Sequence, residues 1–209
     1  QPTAPTSQLS DLRLNFRINA VPDAEVLLLM DANTGDIIRL RGEGVLRATY
    51  YNKGNFQLFG TYRVESGTYG VTIQNIIKKD FTFLPDGTII FGGQPMQAAL
   101  NLRAQHQVPG VSLSDLDIGS NFASSTVLVN CLMDITGQAS APQVNFDLDL
   151  PNVNADEKQM VRSLLVGQQQ VNQQVVYLLA FRRFYNDQTA NNQIVIRFQK
   201  VNLALKISL

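Results

Sequence analysis

The stretch that decides the fold is Val144-Asn145-Phe146-Asp147-Leu148-Asp149-Leu150, which is followed by Pro151. Its apolar and polar residues alternate strictly, as in a β-strand that has one buried face and one solvated face. After Pro151 the period of the apolar residues changes from two to about 3.6, the period of an α-helix. We therefore expect a sheet before this point and helices after it.

The same alternation recurs on the N-terminal side of this stretch, with turn residues between the runs. Residues 12–18 alternate in this way, and the Asn-Thr-Gly sequence at 33–35 separates two apolar runs as in a hairpin. Turns are also predicted at residues 52–55, 65–67 and 85–87. The pattern predicts roughly ten antiparallel strands arranged as a meander. The remaining runs are 26–30, 37–40, 45–51, 56–64, 68–77, 81–84, 89–91, 98–104 and 127–136.

Two short amphipathic helices are predicted after Pro151. Asn154 followed by Glu157 is a capping-box pattern, and Gly167 can end the first helix. Apolar residues at 171, 175, 178, 179 and 181 then share one side of a second helix, with glutamines on the other side. The predicted segments are a linker at residues 1–8, a curved sheet at 9–151, a helical segment at 152–186 and closing strands at 194–209.

Composition excludes several classes of function. Seventeen basic residues balance seventeen acidic ones, and no block of like charge has the cationic character of a nucleic-acid-binding surface. No apolar run is long enough to span a membrane as a helix. Cys131 is the sole cysteine, so it forms no disulfide within the chain, and its apolar surroundings predict a small buried side chain. Nucleic acid is therefore not an expected partner.

Few residues are candidates for catalysis. His106 is the sole histidine and has no serine or cysteine motif beside it, which predicts an ordinary surface histidine. Asp147 and Asp149 share one face of a strand, and that face is expected to be solvated. The glycines at 42–44 and 92–93 lack a phosphate-binding pattern and are predicted to be turns or bulges. The sequence thus predicts no enzyme, no cofactor and no metal site.

What remains is a large amount of strand with one apolar side and few charges. Such a face must be covered by a second layer, closed on itself or occupied by an apolar ligand. On composition alone, a core filled by the chain's own side chains is favoured.

Several stretches, read in order, carry a resemblance to a known family. They are IRLRGEG at 38–44, LFGTYRVESGTY at 58–69, FTF at 81–83 and GTIIFGG at 87–93. A later set follows a Gly, Pro, Phe-x-Leu-x-Leu-Pro pattern that leads into helices. Its members are Gly137, Pro142, Phe146, Leu148, Leu150 and Pro151, followed by Gln173, Leu178, Leu179 and Phe184. Over residues 9–185 the chain resembles the C-terminal domain of the TamB family, and beyond Asp187 it departs from that pattern.

The resemblance implies both a fold and a function. TamB-like proteins look like a long curved sheet, or β-taco, with a hydrophobic trough. They resemble inner-membrane-anchored proteins that cross the periplasm and engage an outer-membrane barrel of the Omp85 class, TamA-like or BamA-like. The resemblance therefore implies a non-enzymatic periplasmic module of outer-membrane biogenesis, which conducts phospholipid and takes part in barrel or autotransporter assembly and protein secretion.

The alternation also predicts which side chains line the trough. Acyl chains would lie against this inward set at about 0.8 kcal/mol per buried CH2, without a polar clamp, so no single lipid is expected to be preferred. A register error of one residue would exchange every member with its neighbour, and the face at Leu100 and Leu102 has two possible orientations. The predicted lipid-facing residues are Leu14, Phe16, Ile18, Leu46, Leu58, Tyr69, Val71, Ile73, Phe83, Phe91, Leu100, Leu102, Val144, Phe146 and Leu148.

Two other functions compete with the conduit. The first is a docking or chaperone module that pairs an exposed edge strand with a partner's strand by β-augmentation, which a filled trough would favour. The second is a periplasmic hydrolase, which is disfavoured because no convergent titratable cluster is present. The predicted docking edge consists of Val201, Leu203, Leu205 and Ile207.

Overall fold

The computed structural model describes residues 10–31, 35–73, 77–116 and 126–186. Within these residues the chain forms a nine-stranded sheet and two α-helices, α1 (Ala155–Leu164) and α2 (Gln168–Phe181). The predicted antiparallel sheet followed by two helices is therefore confirmed. The strands are β1 (Arg13–Ala20), β2 (Glu25–Asp31), β3 (Asp36–Tyr51), β4 (Gln57–Ile73), β5 (Ile77–Phe83), β6 (Thr88–Gly93), β7 (Ala99–Ser112), β8 (Thr126–Gln138) and β9 (Ala141–Asp149).

The sheet is antiparallel and follows the order β1-β3-β4-β5-β7-β8-β9. Strand β2 pairs with the first half of β3, and β1 pairs with the second half. In the same way, β6 and β5 share the space between β4 and β7. The long strands β3, β4 and β7 therefore span the full width of the sheet. The short strands lie end to end in two pairs, β1 with β2 and β5 with β6, and each pair lies along a long strand.

Two predicted interruptions of the strands are not turns. Strand β3 continues through residues 42–44, and β4 continues through residues 65–67 with a bulge at Glu65, because Arg41 pairs with Ser66 and the next residue, Gly42, pairs with Val64. The predicted turn at 65–67 is therefore wrong. The physical reason is close approach of the backbones, because a Cβ atom at Gly42, Gly44 or Gly67 would overlap a carbonyl oxygen of the facing strand. These glycines serve the pairing of β3 with β4 rather than a change of direction.

The sheet is strongly curved toward its apolar side. Phe81 on β5 and Phe146 on β9 are separated by three strand spacings in the sheet order, which in a flat sheet would be about 14 Å. Their ring centroids are 6.3 Å apart. Apolar side chains of β3 to β9 accordingly join one buried cluster. We call this concave apolar face the trough.

The two helices add an inner layer to part of the trough. The side chain of Asn154 accepts a hydrogen bond from the Glu157 backbone N–H at 2.8 Å, so the predicted cap of α1 is confirmed. Gly167, with φ +94°, separates α1 from α2. Helix α2 contacts β9, β8 and β5, and its buried residues Val175 and Leu178 belong to the same cluster as the strands. The helices thus close the trough at the β9 end.

Candidate functional site

The trough contains the predicted lipid-facing residues whose side chains the structure describes, and these lie in three zones of exposure. The first zone is the covered end, beneath α2 and toward the middle of the sheet, where the predicted residues are buried. Phe146 and Leu148 of β9 are 5% and 1% exposed. The buried members of the predicted set are Leu46, Tyr69, Val71, Phe83, Leu102, Phe146 and Leu148.

The second zone is the open end of the trough, on β1. Leu14, Phe16 and Ile18 are 36%, 49% and 43% exposed. They pair across the ladder with Tyr50, Ala48 and Leu46 of β3, so they continue the same concave face. These side chains are exposed because β1 lies at the other end of the strand order from the strands that α2 contacts.

The third group is intermediate in exposure and is spread over β4, β6, β7 and β9. Leu58, Phe91, Leu100 and Val144 are half-buried. Leu100 and Leu102 both point into the trough, since Leu102 pairs with the buried Ile135 and is itself buried. The side chain of Ile73, which was assigned to the same set, lies outside the described residues.

The hydroxyl group of Tyr62 is a buried polar group in the trough wall. Tyr62 is 4% exposed and pairs with Gly44 and Ile89, between the open and the covered ends. Its hydroxyl group is buried and, within the described part of the chain, has no hydrogen-bond partner. Burial and the nearby Glu65 carboxylate raise the pKa of this phenol, so it remains a donor at neutral pH.

The two edges of the sheet differ in chemistry. On β9, the Phe146 carbonyl accepts a hydrogen bond from Gln168 Nε2 of α2 at 2.6 Å, and the Leu148 N–H donates to the Asp147 carboxylate at 2.8 Å. These backbone groups are therefore engaged by side chains. On β1, the described strands provide one neighbour, β3. The predicted docking edge at Val201, Leu203, Leu205 and Ile207 lies outside the described residues.

The two aspartates considered for catalysis lie against basic side chains of helix α1. Asp149 forms an ion pair with Lys158 of α1 at 3.2 Å, and Asp147 lies 3.9 Å from Arg162. Both carboxylates thus hold α1 against β9. Among residues 10–31, 35–73, 77–116 and 126–186, no group of three His, Cys, Asp or Glu side chains is placed to hold a metal ion.

His106 and Cys131 face the interior of the sheet. The prediction that His106 is a surface histidine is wrong, because it lies within β7, half-buried, with Nδ1 2.8 Å from the Asp80 carbonyl oxygen and its ring 5.8 Å from that of Phe81. Cys131 is fully buried, as predicted, and burial raises the pKa of its thiol to about 12. This thiol is therefore protonated at neutral pH and is not a nucleophile.

The position of α2 in the trough is the feature that sequence reasoning missed. One signal for it exists in the adjacent pairs Val175-Val176 and Leu178-Leu179, all four of which are buried. Such paired positions widen the apolar side of a helix beyond the stripe of a surface helix. Within the described part of the chain, neither helix is long and apolar enough to cross a membrane.

Comparison with known proteins agrees with the resemblance. The family model described as TamB C-terminal domain matches residues 1–205 of the 209-residue chain. Significant matches are absent among both the curated proteins and the solved structures. Domains of this family are non-enzymatic modules of outer-membrane assembly and are consistent with a location in the cell envelope. Because the match spans nearly the whole sequence, the chain belongs to the TamB C-terminal domain family.

Proposed function

We propose that the trough binds the acyl chains of phospholipids and that the chain is one module of a phospholipid conduit. In this proposal the conduit crosses the periplasm, its parent protein is anchored in the inner membrane, and it acts with an outer-membrane barrel of the Omp85 class. The observation that carries the proposal is a single apolar concave face that is covered at one end and exposed to solvent at the other.

The open end is suited to an acyl chain. Leu14, Phe16 and Ile18 present three neighbouring apolar side chains on one side of an edge strand, with Tyr50 beside them at 40% exposure. Covering such a surface with methylene groups is favourable at about 25 cal/mol per Å² of apolar area. The binding energy depends on area rather than on directional bonds, so lipids with different head groups are expected to bind with similar affinity.

Tyr62 supports a ligand that also has oxygen atoms. A buried hydroxyl group without a partner costs about 1–3 kcal/mol relative to one that donates a hydrogen bond. An ester or phosphate oxygen of a lipid lying in the trough would accept that bond. A phospholipid therefore satisfies both the exposed apolar wall and the unpaired donor.

Because one end of the trough is covered, the proposal also says from which end acyl chains enter. Helix α2 occupies the trough above β8 and β9, where Phe146 and Leu148 already pack against the chain's own side chains. Acyl chains would therefore enter from the β1 side and end where α2 begins. Transport past α2 would require the helix to move.

The test is native mass spectrometry with lipid extraction on the purified protein and two matched variants. Phe16→Asp places a charge on the open end of the trough, whereas Leu27→Asp places the same charge on the outer face of β2, at a residue that is 56% exposed. We expect phospholipid to co-purify with the wild type and with Leu27→Asp and to be lost from Phe16→Asp. Circular dichroism should show all three to be folded.

Either of two results would overturn the conduit. One is a wild-type protein that carries no phospholipid even after incubation with it. The other is a folded Phe16→Asp variant that retains as much lipid as Leu27→Asp. Substitution of Phe146 is not a suitable test of lipid binding, because this residue is buried against Phe81 and its loss affects folding.

The docking function remains the second candidate, and the difference between the two sheet edges favours it at β1. Both β9 and β1 are edge strands of the described sheet, but the β9 backbone bonds to side chains at Phe146 and Leu148, and no such bond is present along β1 within the described residues. A partner strand could add to β1 by β-augmentation. A photo-crosslinker at Asn19 of β1, compared with one at Gln143 of β9, tests this: crosslinking of a lipid-free protein to an Omp85-class barrel through Asn19 alone would favour docking.

A further inference from the structure

Two arginines face each other on the convex side of the sheet, away from the trough. Arg17 of β1 and Arg47 of β3 are direct cross-strand partners, and both side chains are exposed. Like charges directly opposite one another on a sheet destabilise it. The repulsion between Arg17 and Arg47 is therefore either compensated by other groups of this chain or relieved when a negatively charged ligand binds.

Other arginines of the sheet are neutralised by acidic side chains. Arg39 and Arg41 lie 3.3 and 3.9 Å from the Glu25 carboxylate, and Arg63 lies 3.4 Å from that of Asp86. In the part of the chain that the structure describes, Arg17 and Arg47 have no carboxylate within 4.0 Å. Two adjacent positive charges on β1 and β3 are thus left for an external anion.

Arg103 and Arg13 show two further kinds of partner that arginines have in this sheet. Arg103 donates to both carboxylate oxygens of Asp134, and Arg13 lies over the ring of Tyr51 at 4.7 Å from its centroid. Arg17 has neither kind of partner in the described structure, although Arg13 lies four residues earlier on the same face of β1, with Asn15 between them.

Two exposed apolar side chains and one half-buried one lie beside the two arginines on the convex side. Phe59 of β4 is the cross-strand partner of Arg47, and Val45 and Ile90 on the same face are 51% and 50% exposed. An open depression of about 550 Å³ is bordered by Arg17, Arg47 and Phe59, by Asn15 and Thr49, and by Phe16 and Ala48, which alternate with the arginines along β1 and β3. Cations next to exposed apolar groups are the pattern of a protein surface that rests on an anionic membrane.

We propose that this convex patch, defined by Arg17, Arg47, Val45, Phe59 and Ile90, docks onto an anionic phospholipid surface. Guanidinium groups bind phosphate oxygens through paired N–H donors, so Arg17 and Arg47 would hold head-group phosphates. The three apolar side chains would rest at the level of the head groups. The site lies on the side of β1 opposite Phe16 and Ile18 and requires no lipid in the trough, so it stands apart from the conduit.

The experiment measures sedimentation of the protein with vesicles of phosphatidylcholine, with and without about a third of phosphatidylglycerol. The test variant is R17Q/R47Q, and the control is R39Q/R41Q, which removes the same charge from the same face of the sheet at paired arginines. Each basic residue near an anionic surface contributes about fivefold to binding, so R17Q/R47Q should bind the anionic vesicles about 25-fold more weakly. The control should bind like the wild type.

A third variant separates a membrane from free phosphate. Ile90→Ser keeps both arginines, and it should weaken binding to vesicles while leaving any binding of inorganic phosphate unchanged. The membrane proposal is overturned if the wild type does not prefer anionic vesicles, if R17Q/R47Q binds as well as the wild type, or if R39Q/R41Q loses as much. It is also overturned if millimolar inorganic phosphate displaces the vesicles and Ile90→Ser has no effect, because the ligand is then a free anion.

Discussion

The two ends of the trough are built from the same alternating pattern and reach opposite outcomes. At the β9 end, Phe146 and Leu148 are 5% and 1% exposed beneath α2, whereas at the β1 end Phe16 and Ile18 are 49% and 43% exposed. The orientation of the side chains does not explain this difference in exposure, because all four residues face the same concave side. The difference is made by the helices, which lie over one end and not over the other. Alternation therefore tells which face is apolar, and it does not tell whether that face is covered.

The largest expected difference between the two ends is in the free energy of unfolding. Phe146→Asp would bury a carboxylate beside Phe81 and leave a cavity, so we expect a loss of about 5 kcal/mol or a protein that does not fold. Phe16→Asp should cost about 1 kcal/mol or less, because its side chain is already half in water. Urea denaturation of both variants measures this, and equal losses would remove the distinction between a covered and an open end.

A smaller effect is expected from the helix side of the covered end. Leu178→Ala removes a fully buried side chain of α2 that packs in the same cluster as β9, and should cost about 3 kcal/mol. Leu164→Ala is the matched control on α1, where the side chain is 44% exposed, and should cost under about 1 kcal/mol. If thermal or urea unfolding shows Leu178→Ala to be as mild as Leu164→Ala, then α2 is not a stable cover.

The smallest effect depends on pH and reports on the covered end through Cys131. Its folded-state pKa is raised to about 12 by burial, above the ordinary value of 9.0. The unfolded thiol ionises first, so this contribution to stability is fully present below pH 9 and is lost as the pH rises toward 12. Between pH 8 and pH 10 the wild type should lose about 1 kcal/mol more than Cys131→Ala in urea denaturation. Identical pH dependence of the two proteins would contradict the burial of this thiol.

The sequence predicted the fold class well, for a local reason. Period two in residues 144–150 and the cap at Asn154 depend on neighbours in the chain, so they can be recognised without the tertiary structure. The glycines at 42, 44 and 67 were harder, because a glycine needed for close approach of two strands looks the same in sequence as a glycine in a turn. His106 was misassigned because its polar neighbours concealed that its own side chain faces Phe81.

The features that depend on distant residues were not predictable in the same way. Whether α2 lies in the trough depends on the packing of Val175 and Leu178 against strands far earlier in the chain. Arg17 and Arg47 become neighbours only through the register of β1 with β3. Neither relation leaves a pattern within a short window of sequence, so both became visible only in the assembled sheet.

The side-chain bonds on β9 have a consequence for how copies of this chain meet one another. Gln168 and Asp147 engage the β9 backbone, so of the two sheet edges that the structure describes, the one formed by β1 and β2 is better able to accept another strand. Two copies that paired along the whole of this edge would each have used it, and a third copy would find only the blocked one. Growth into a continuous fibre is thereby disfavoured, even though the chain carries a long apolar sheet that is open to solvent at one end.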